Sequence, residues 1–147
     1  DAAVYPHILP ISNDEALFGQ QLYYDENDAV CGTEPRLLIS ATDIPFADVF
    51  DFAARYHGLM IPAHIDKNAN SLISNLGFVP PESQFRTAEL HDMAALEKLK
   101  KSNPYLEQCR IICDSDAHYL EHIHEPEWKM KVREKSAAAV IAYLRGE

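Results

Sequence analysis

The chain has 147 residues, 47% of them hydrophobic, and a formal net charge of −10, which fits one domain (1–147) with a packed core. This charge disfavours a nucleic-acid groove or an anionic membrane surface as the main partner, because both are bound through clustered Lys and Arg. No stretch approaches the ~18 apolar residues of a membrane span. Three cysteines without CxxC spacing and no recognisable signal peptide indicate a reducing, cytoplasmic compartment.

The first part of the chain, residues 1–43, lacks a strong hydrophobic period and is predicted to be an insertion-like segment. The triplet 13–15 favours a short helical turn that ends near Gly19. Segments 20–24 and 36–39 flank a stretch rich in turn residues, and this pattern predicts a β-hairpin or a loosely paired excursion.

Residues 44–147 alternate apolar runs with amphipathic segments, which is typical of an α/β protein. The first helix is expected to have Asp43 as its cap, Pro45 in its first turn and Gly58 as its C′ residue. Its inward face carries apolar residues at i, i+3, i+4 and i+7, namely Phe46, Val49, Phe50 and Ala53.

Three apolar runs, 59–65, 85–90 and 110–113, are predicted to form strands of a sheet that is covered on both faces. Pro62 cannot donate to a ladder, so the first strand is expected to end or bulge there.

Helices are predicted at 71–76, 92–101 and 133–144, between and after these strands. The last helix would bury Ala137, Val140, Ile141 and Leu144. Strand–helix alternation with short links implies parallel pairing and right-handed crossovers.

Histidine and aspartate follow two of the predicted strands. His64 ends the first strand, and Asp116 and His118 follow the strand 110–113. Parallel strands share their carboxyl ends, so these three side chains are expected to converge on one face. Imidazole and carboxylate are the ligands of hydrolytic Zn, Mn or Fe sites. The sequence therefore predicts a metal site at this edge.

Three neighbouring residues are weaker candidates. Asp66 would orient a ligating histidine, and Lys67 would meet a phosphate as a point charge. Asp114 is interpreted as a cap of the following turn in preference to a ligand.

Three motifs resemble the carboxy-terminal motifs of the PHP (polymerase and histidinol phosphatase) family: 63–67 (AHIDK), 76–80 (LGFVP) and 114–120 (DSDAHYL). The segments 13–15, 18–20 and 41–43 resemble an insertion found in one bacterial branch of that family. The resemblance implies a distorted (β/α)7 TIM-like barrel, up to three divalent metals and phosphoester hydrolysis by a metal-activated water. It also implies that His64, Asp116 and His118 each bind a different metal.

The chain departs from this family in its ligand count. The family's amino-terminal His-x-His pair, its Asp-His motif, and its bridging Glu with a later His have no counterpart here. A pair at His122 and His124 mimics His-x-His but lies at the wrong place in chain order. A catalytic zinc takes about three protein ligands, whereas the chain would supply roughly one ligand per metal.

The expected function is therefore that of the carboxy-terminal portion of a metal-dependent phosphoesterase acting on a small phosphorylated substrate. The chain alone is predicted to be inactive and its metals poorly occupied, because the amino-terminal half of the barrel is missing. An incomplete barrel exposes a sheet edge, so we expect self-association or coverage of that edge by residues 1–43. Two alternatives remain: a non-catalytic binding or assembly module on the same scaffold, and a metal-dependent amidohydrolase on a similar barrel.

Overall fold

The computed structural model describes residues 3–147 and shows a mixed α/β protein. Its described residues divide into two compact units, which meet in the sequence between Phe46 and Ala47. No helix in the described part of the chain has both the length and the apolar character needed to cross a membrane.

The first unit contains one short helix and one antiparallel strand pair. After a 3-10 turn at Tyr5–His7 come α1 (Glu15–Phe18), β1 (Leu22–Tyr24) and β2 (Val30–Thr33). Asp14 caps α1 by accepting a hydrogen bond from the N–H of Ala16, so the predicted helical turn is confirmed.

The second arm of the predicted hairpin is wrong, because the chain turns back earlier than 36–39. Asp25 Oδ1 accepts hydrogen bonds from the N–H groups of Asn27 and Ala29, at 2.8 and 2.9 Å. Asp28 completes this turn with a left-handed φ of 61°. The carboxylate of Asp25 thus closes the turn, and pairing starts at once in β2.

The second unit contains four α-helices and a parallel strand pair. Its elements are α2 (Phe46–Arg55), α3 (Leu72–Leu76), β3 (Thr87–Leu90), α4 (Leu96–Ser102), β4 (Arg110–Cys113) and α5 (Ala137–Arg145), with 3-10 turns at Met93–Ala95, Pro104–Gln108 and Leu120–His122. β3 and β4 pair in parallel, in register from Thr87 opposite Arg110 to Leu90 opposite Cys113. Parallel pairing of these two runs is therefore confirmed.

The run 59–65 is extended but is not a regular strand. Two backbone hydrogen bonds join it to β3: Glu89 N–H donates to Pro62 O at 3.0 Å, and Ile65 N–H donates to Glu89 O at 2.9 Å. A regular parallel pair would place these two partners two positions apart, and here they are three apart. The extra residue is His64, with φ of 31°, so the irregularity expected at Pro62 falls at His64.

The start of α2 differs from the prediction. The helix begins at Phe46, so Pro45 precedes it and Asp43 does not cap it. The carboxylate of Asp43 instead lies 2.7 Å from Nδ1 of His7. A distant partner in the sequence thus replaces the local capping role.

The end of α2 is closed by His57 and not by Gly58. His57 has the left-handed conformation, with φ of 57°. Its N–H donates to Ala54 O and that of Gly58 to Ala53 O, at 3.0 and 2.9 Å, which is the Schellman pattern with His57 at C′.

The last helix, α5, is shorter than predicted and shows a different buried face. Ser136 caps it by accepting from the N–H of Ala139. Ile141 is 40% exposed and Ala137 is exposed as well, while Val140 and Leu144 are half-buried. The predicted buried stripe is therefore wrong at Ala137 and Ile141.

The buried apolar side chains of the described residues lie in the second unit, around β3: Ile65, Val79, Phe85, Ala88, Leu90, Tyr105 and Leu106. The rings of Phe85 and Tyr105 meet edge to face, with centroids 5.0 Å apart. The hydroxyl of Tyr105 donates to Phe85 O at 2.8 Å. This core holds the strand whose carboxyl end carries the candidate site.

Candidate functional site

The candidate ligands lie beyond the carboxyl end of β4 and in the bulge beside β3. His64 is the bulge residue, and Asp116 and His118 lie in the loop after β4. Asp114 Oδ1 accepts a hydrogen bond from the N–H of Asp116 at 3.0 Å, which is the turn-capping role expected of it. This tight turn holds Asp116 at a φ of 46°.

His64 has an unusual environment for a histidine. Its Nδ1 is buried and has no hydrogen-bond partner among the described residues. Its backbone is left-handed, a conformation that costs an L-residue roughly 1 kcal/mol or more. Buried polar atoms are nearly always paired, so the unpaired nitrogen in a strained bulge keeps His64 among the candidate ligands.

Asp116 is held by Lys67. The ammonium of Lys67 forms an ion pair with the Asp116 carboxylate, and the two side chains are 35% and 24% exposed. The Lys67 hydrogen bond is the main cause that lowers the pKa of Asp116 below its usual value, and the charges of Lys67, His64 and His118 lower it further. Lys67, His64 and His118 thus share one electrostatic neighbourhood with this carboxylate.

His118 is exposed, and its ring is oriented by the backbone. Its Nδ1 lies 2.8 Å from the carbonyl oxygen of Asp116. A carbonyl only accepts, so Nδ1 carries the proton, and in the neutral ring the lone pair is then on Nε2. Metal-binding histidines are commonly fixed by this kind of hydrogen bond.

Asp66 does not orient a histidine ring, contrary to the prediction. Its Oδ1 accepts from the N–H of His91 and its Oδ2 from the N–H of Asp92, both at 2.8 Å. Asp66 therefore ties the segment after the bulge to the turn that follows β3, and its role is structural.

Glu89 belongs to the site and was missed by the sequence analysis. This β3 residue accepts a hydrogen bond from the N–H of His64 at 3.1 Å through Oε1. Burial is the main cause that raises the pKa of Glu89, and the nearby Asp114 and Asp116 raise it further. A carboxylate near the carboxyl end of the predicted strand 85–90 was the signal that could have identified it.

The donor set fits a divalent metal only in part. His64 Nδ1 has no hydrogen-bond partner among the described residues, His118 is exposed, and imidazole nitrogen suits Zn, Mn or Fe. The Asp116 carboxylate is occupied by Lys67. Within residues 3–147, no three His, Cys, Asp or Glu side chains come close enough together to hold a metal ion.

Comparisons with known proteins add no family to this description. The chain matches no protein-family model, no curated protein and no solved structure. A function for this chain therefore has to follow from the geometry at the carboxyl ends of β3 and β4.

Proposed function

We propose that the chain is the carboxy-terminal portion of a PHP-type metal-dependent phosphoesterase, built on a distorted (β/α)7 TIM-like barrel. In this proposal His64, Asp116 and His118 supply metal ligands, and the remaining ligands come from polypeptide outside these 147 residues. The observation that carries the proposal is the buried, unpartnered Nδ1 of His64 at the carboxyl edge of the sheet.

Backbone conformation supports the same assignment. Two of the three proposed ligands, His64 and Asp116, have positive φ angles of 31° and 46°. Strained residues of this kind persist where the surroundings over-determine them, and they cluster at functional sites. Carboxyl ends of parallel strands are also where barrel enzymes place their chemistry.

Each residue has a distinct part in this proposal. When bound, a divalent Zn, Mn or Fe ion would lower the pKa of a coordinated water and supply the nucleophile. His64 and His118 would present ring nitrogens to such ions. Lys67 would leave Asp116 and place its ammonium against the substrate phosphate. Glu89 would fix the position of His64, because its carboxylate accepts a hydrogen bond from the backbone N–H of His64.

The Lys67–Asp116 pair favours a second candidate, a non-catalytic binding or assembly module on the same scaffold. The ammonium of Lys67 is paired with the Asp116 carboxylate and supplies the positive charge that a metal would otherwise bring. In such a module the sheet edge would be stabilised by this ion pair and would need no metal.

The experiment that separates the two candidates uses a longer protein, which includes the residues that the reading frame encodes upstream of Asp1. The enzyme proposal expects a His-x-His and an Asp-His motif there, and turnover of p-nitrophenyl phosphate with Mn²⁺ or Zn²⁺. His64→Ala and Asp116→Asn are expected to lower kcat/KM by at least about 100-fold, since each removes a metal ligand. His124→Ala is the matched control. It removes a histidine of the pair at 122 and 124, which is given no metal here, and it is expected to leave turnover unchanged.

Two results would contradict the proposal. One is metal-dependent turnover by the 147-residue chain alone, because the chain would then need no further ligands. The other is an upstream frame that folds, lacks these motifs and shows no metal-dependent turnover, which would favour the binding module.

A further inference from the structure

A second cavity lies at the opposite end of β3 from the candidate metal site. It has a volume of about 460 Å³, within the range of small-molecule pockets. Its walls are the second half of α2, residues 57–60, residues 83–86 before β3, and the end of α5. All of these segments belong to the second unit.

Apolar and cationic residues both line this cavity. Phe50, Met60 and Leu144 are apolar lining residues, and Arg86 and Arg145 are the cationic ones. The other ionisable lining residues are His57 and Glu147. Two arginines thus line this cavity with one glutamate, in a chain that is acidic overall.

Both arginines are held by neutral partners only. Arg86 Nη1 donates to Gln108 Oε1, and Arg145 Nη2 donates to His57 O, each at 3.3 Å. Neither forms an ion pair within the part of the chain that the structure describes. Arginine recognises planar oxyanions with two parallel hydrogen bonds, and both guanidinium groups have donors left for this.

Ser83 adds a polar group at the same cavity. Its Oγ is buried and has no hydrogen-bond partner in the described residues. A buried hydroxyl without a partner is rare. A ligand oxygen in the cavity would supply the missing acceptor.

The end of α5 is fixed to the start of the sheet, so the cavity is preformed. Thr87 Oγ1 donates to Leu144 O at 2.7 Å, and the guanidinium of Arg110 donates to Tyr143 O. Gly146 has a φ of +89°, and a Cβ there would meet the Arg86 side chain at 3.4 Å. The stem of Arg86 therefore lies against the end of α5.

We propose that this cavity binds a small amphipathic oxyanion, with an apolar body against Phe50, Met60 and Leu144 and a carboxylate or phosphate group between Arg86 and Arg145. Ser83 Oγ donates to the same anionic group. This site is separate from the proposed metal site and does not depend on it.

The test is an NMR titration of the ¹⁵N-labelled chain with three probes: 2-naphthoate, phenylphosphonate and the neutral 2-naphthamide. At least one anion is expected to shift the amides of residues 57–60, 83–86 and 144–147 saturably, with Kd near or below about 1 mM. The amide is expected to bind at least about tenfold more weakly, because it lacks the charge-assisted hydrogen bonds. Saturation by one anion or by both identifies the preferred group.

Variants assign the binding to the named residues. Arg86→Gln and Arg145→Gln are each expected to weaken binding by about tenfold. Arg55→Gln, an exposed charge change on α2 outside the cavity, is the control and is expected to have little effect. Ser83→Ala removes an unpaired hydroxyl, so it should fold normally and still weaken binding. Equal binding of 2-naphthamide, absence of saturation, or equal loss in Arg55→Gln would overturn the proposal.

Discussion

At the scale of single residues, Glu34 shows how the first unit is held together. It is 3% exposed, and its carboxylate accepts from the Tyr5 hydroxyl at 3.1 Å, from the Arg36 N–H at 2.9 Å and from the Tyr23 hydroxyl. The guanidinium of Arg36 lies 4.3 Å from the Tyr5 ring centre. Buried carboxylates are tolerated when every lone pair has a partner of this kind.

Acid is expected to weaken the first unit through Glu34. The Tyr23 hydrogen bond is the main cause that lowers the pKa of Glu34 below its ordinary value of 4.5. The stabilisation is therefore complete above pH 4.5 and is lost as the pH falls through the lowered pKa. Tyr23→Phe should move this loss to higher pH in urea unfolding followed as a function of pH. Glu34→Gln cannot ionise at position 34 and is the reference. If the stability of Tyr23→Phe fell with acid at the same pH as that of the parent chain, this account would be contradicted.

Closure of α2 by His57 leads to a stability prediction. His57→Gly removes the penalty of a left-handed L-residue and is expected to raise the free energy of unfolding by about 0.5–1 kcal/mol. Gly58→Ala is the matched opposite change, because its Cβ would meet the carbonyl oxygen of Ala53 at 3.2 Å. Urea unfolding of both variants measures the difference. If Gly58→Ala raised the free energy of unfolding and His57→Gly lowered it, the cap would be assigned to the wrong residue.

At the scale of elements, the cap of α3 connects helix stability to the candidate site. Ser71 is 2% exposed; its Oγ accepts from the N–H of Ser74 at 3.0 Å and donates to Lys67 O at 2.7 Å. The helix cap therefore also fixes the backbone of the lysine that holds Asp116.

Ser71→Ala is expected to lower the free energy of unfolding by about 1–2 kcal/mol, since it removes the cap and leaves the Lys67 carbonyl unpaired. Ser74→Ala keeps the Ser71 hydroxyl and is expected to cost less. Thermal or urea unfolding checks the order of the two variants. A larger loss in Ser74→Ala would contradict the role given to Ser71.

The elements that the sequence predicted well are those with local causes. β4 follows from its apolar run, and α3 follows from Ser71 at its start and Gly77 at its end, where φ is 82°. The errors have distant causes. Asp66 was misassigned because its donors, the N–H groups of His91 and Asp92, lie about 25 residues away in the sequence. The bulge at His64 likewise depends on Glu89, on a neighbouring strand.

At the scale of the whole molecule, one segment of the second unit exposes several large apolar side chains. They lie along 119–130, and among them are Leu120 at 85% and Ile123 at 62%. Part of this segment lines a cleft with Cys113 at the end of β4. Exposed apolar side chains that are grouped in one segment commonly mark an interaction site.

We therefore expect the isolated chain to self-associate through this face. Analytical ultracentrifugation should give a weight-average mass above 16.6 kDa that rises with concentration. Leu120→Lys should reduce the rise of mass with concentration. Leu17→Lys is the control in the first unit, where Leu17 is also highly exposed, at 76%, and it should not reduce this rise. A mass that stays at that of the monomer on concentration would contradict this prediction.

Paramagnetic NMR with Mn²⁺ tests most directly whether His64, Asp116 and His118 bind divalent metals at one edge of the sheet. Mn²⁺ added to the ¹⁵N-labelled chain is expected to broaden the amide signals of residues 64, 89, 116 and 118 first, with weak affinity because ligands are lacking. His64→Ala should remove the broadening at residues 64 and 89. Broadening spread over acidic surfaces elsewhere, or unchanged in His64→Ala, would contradict the account.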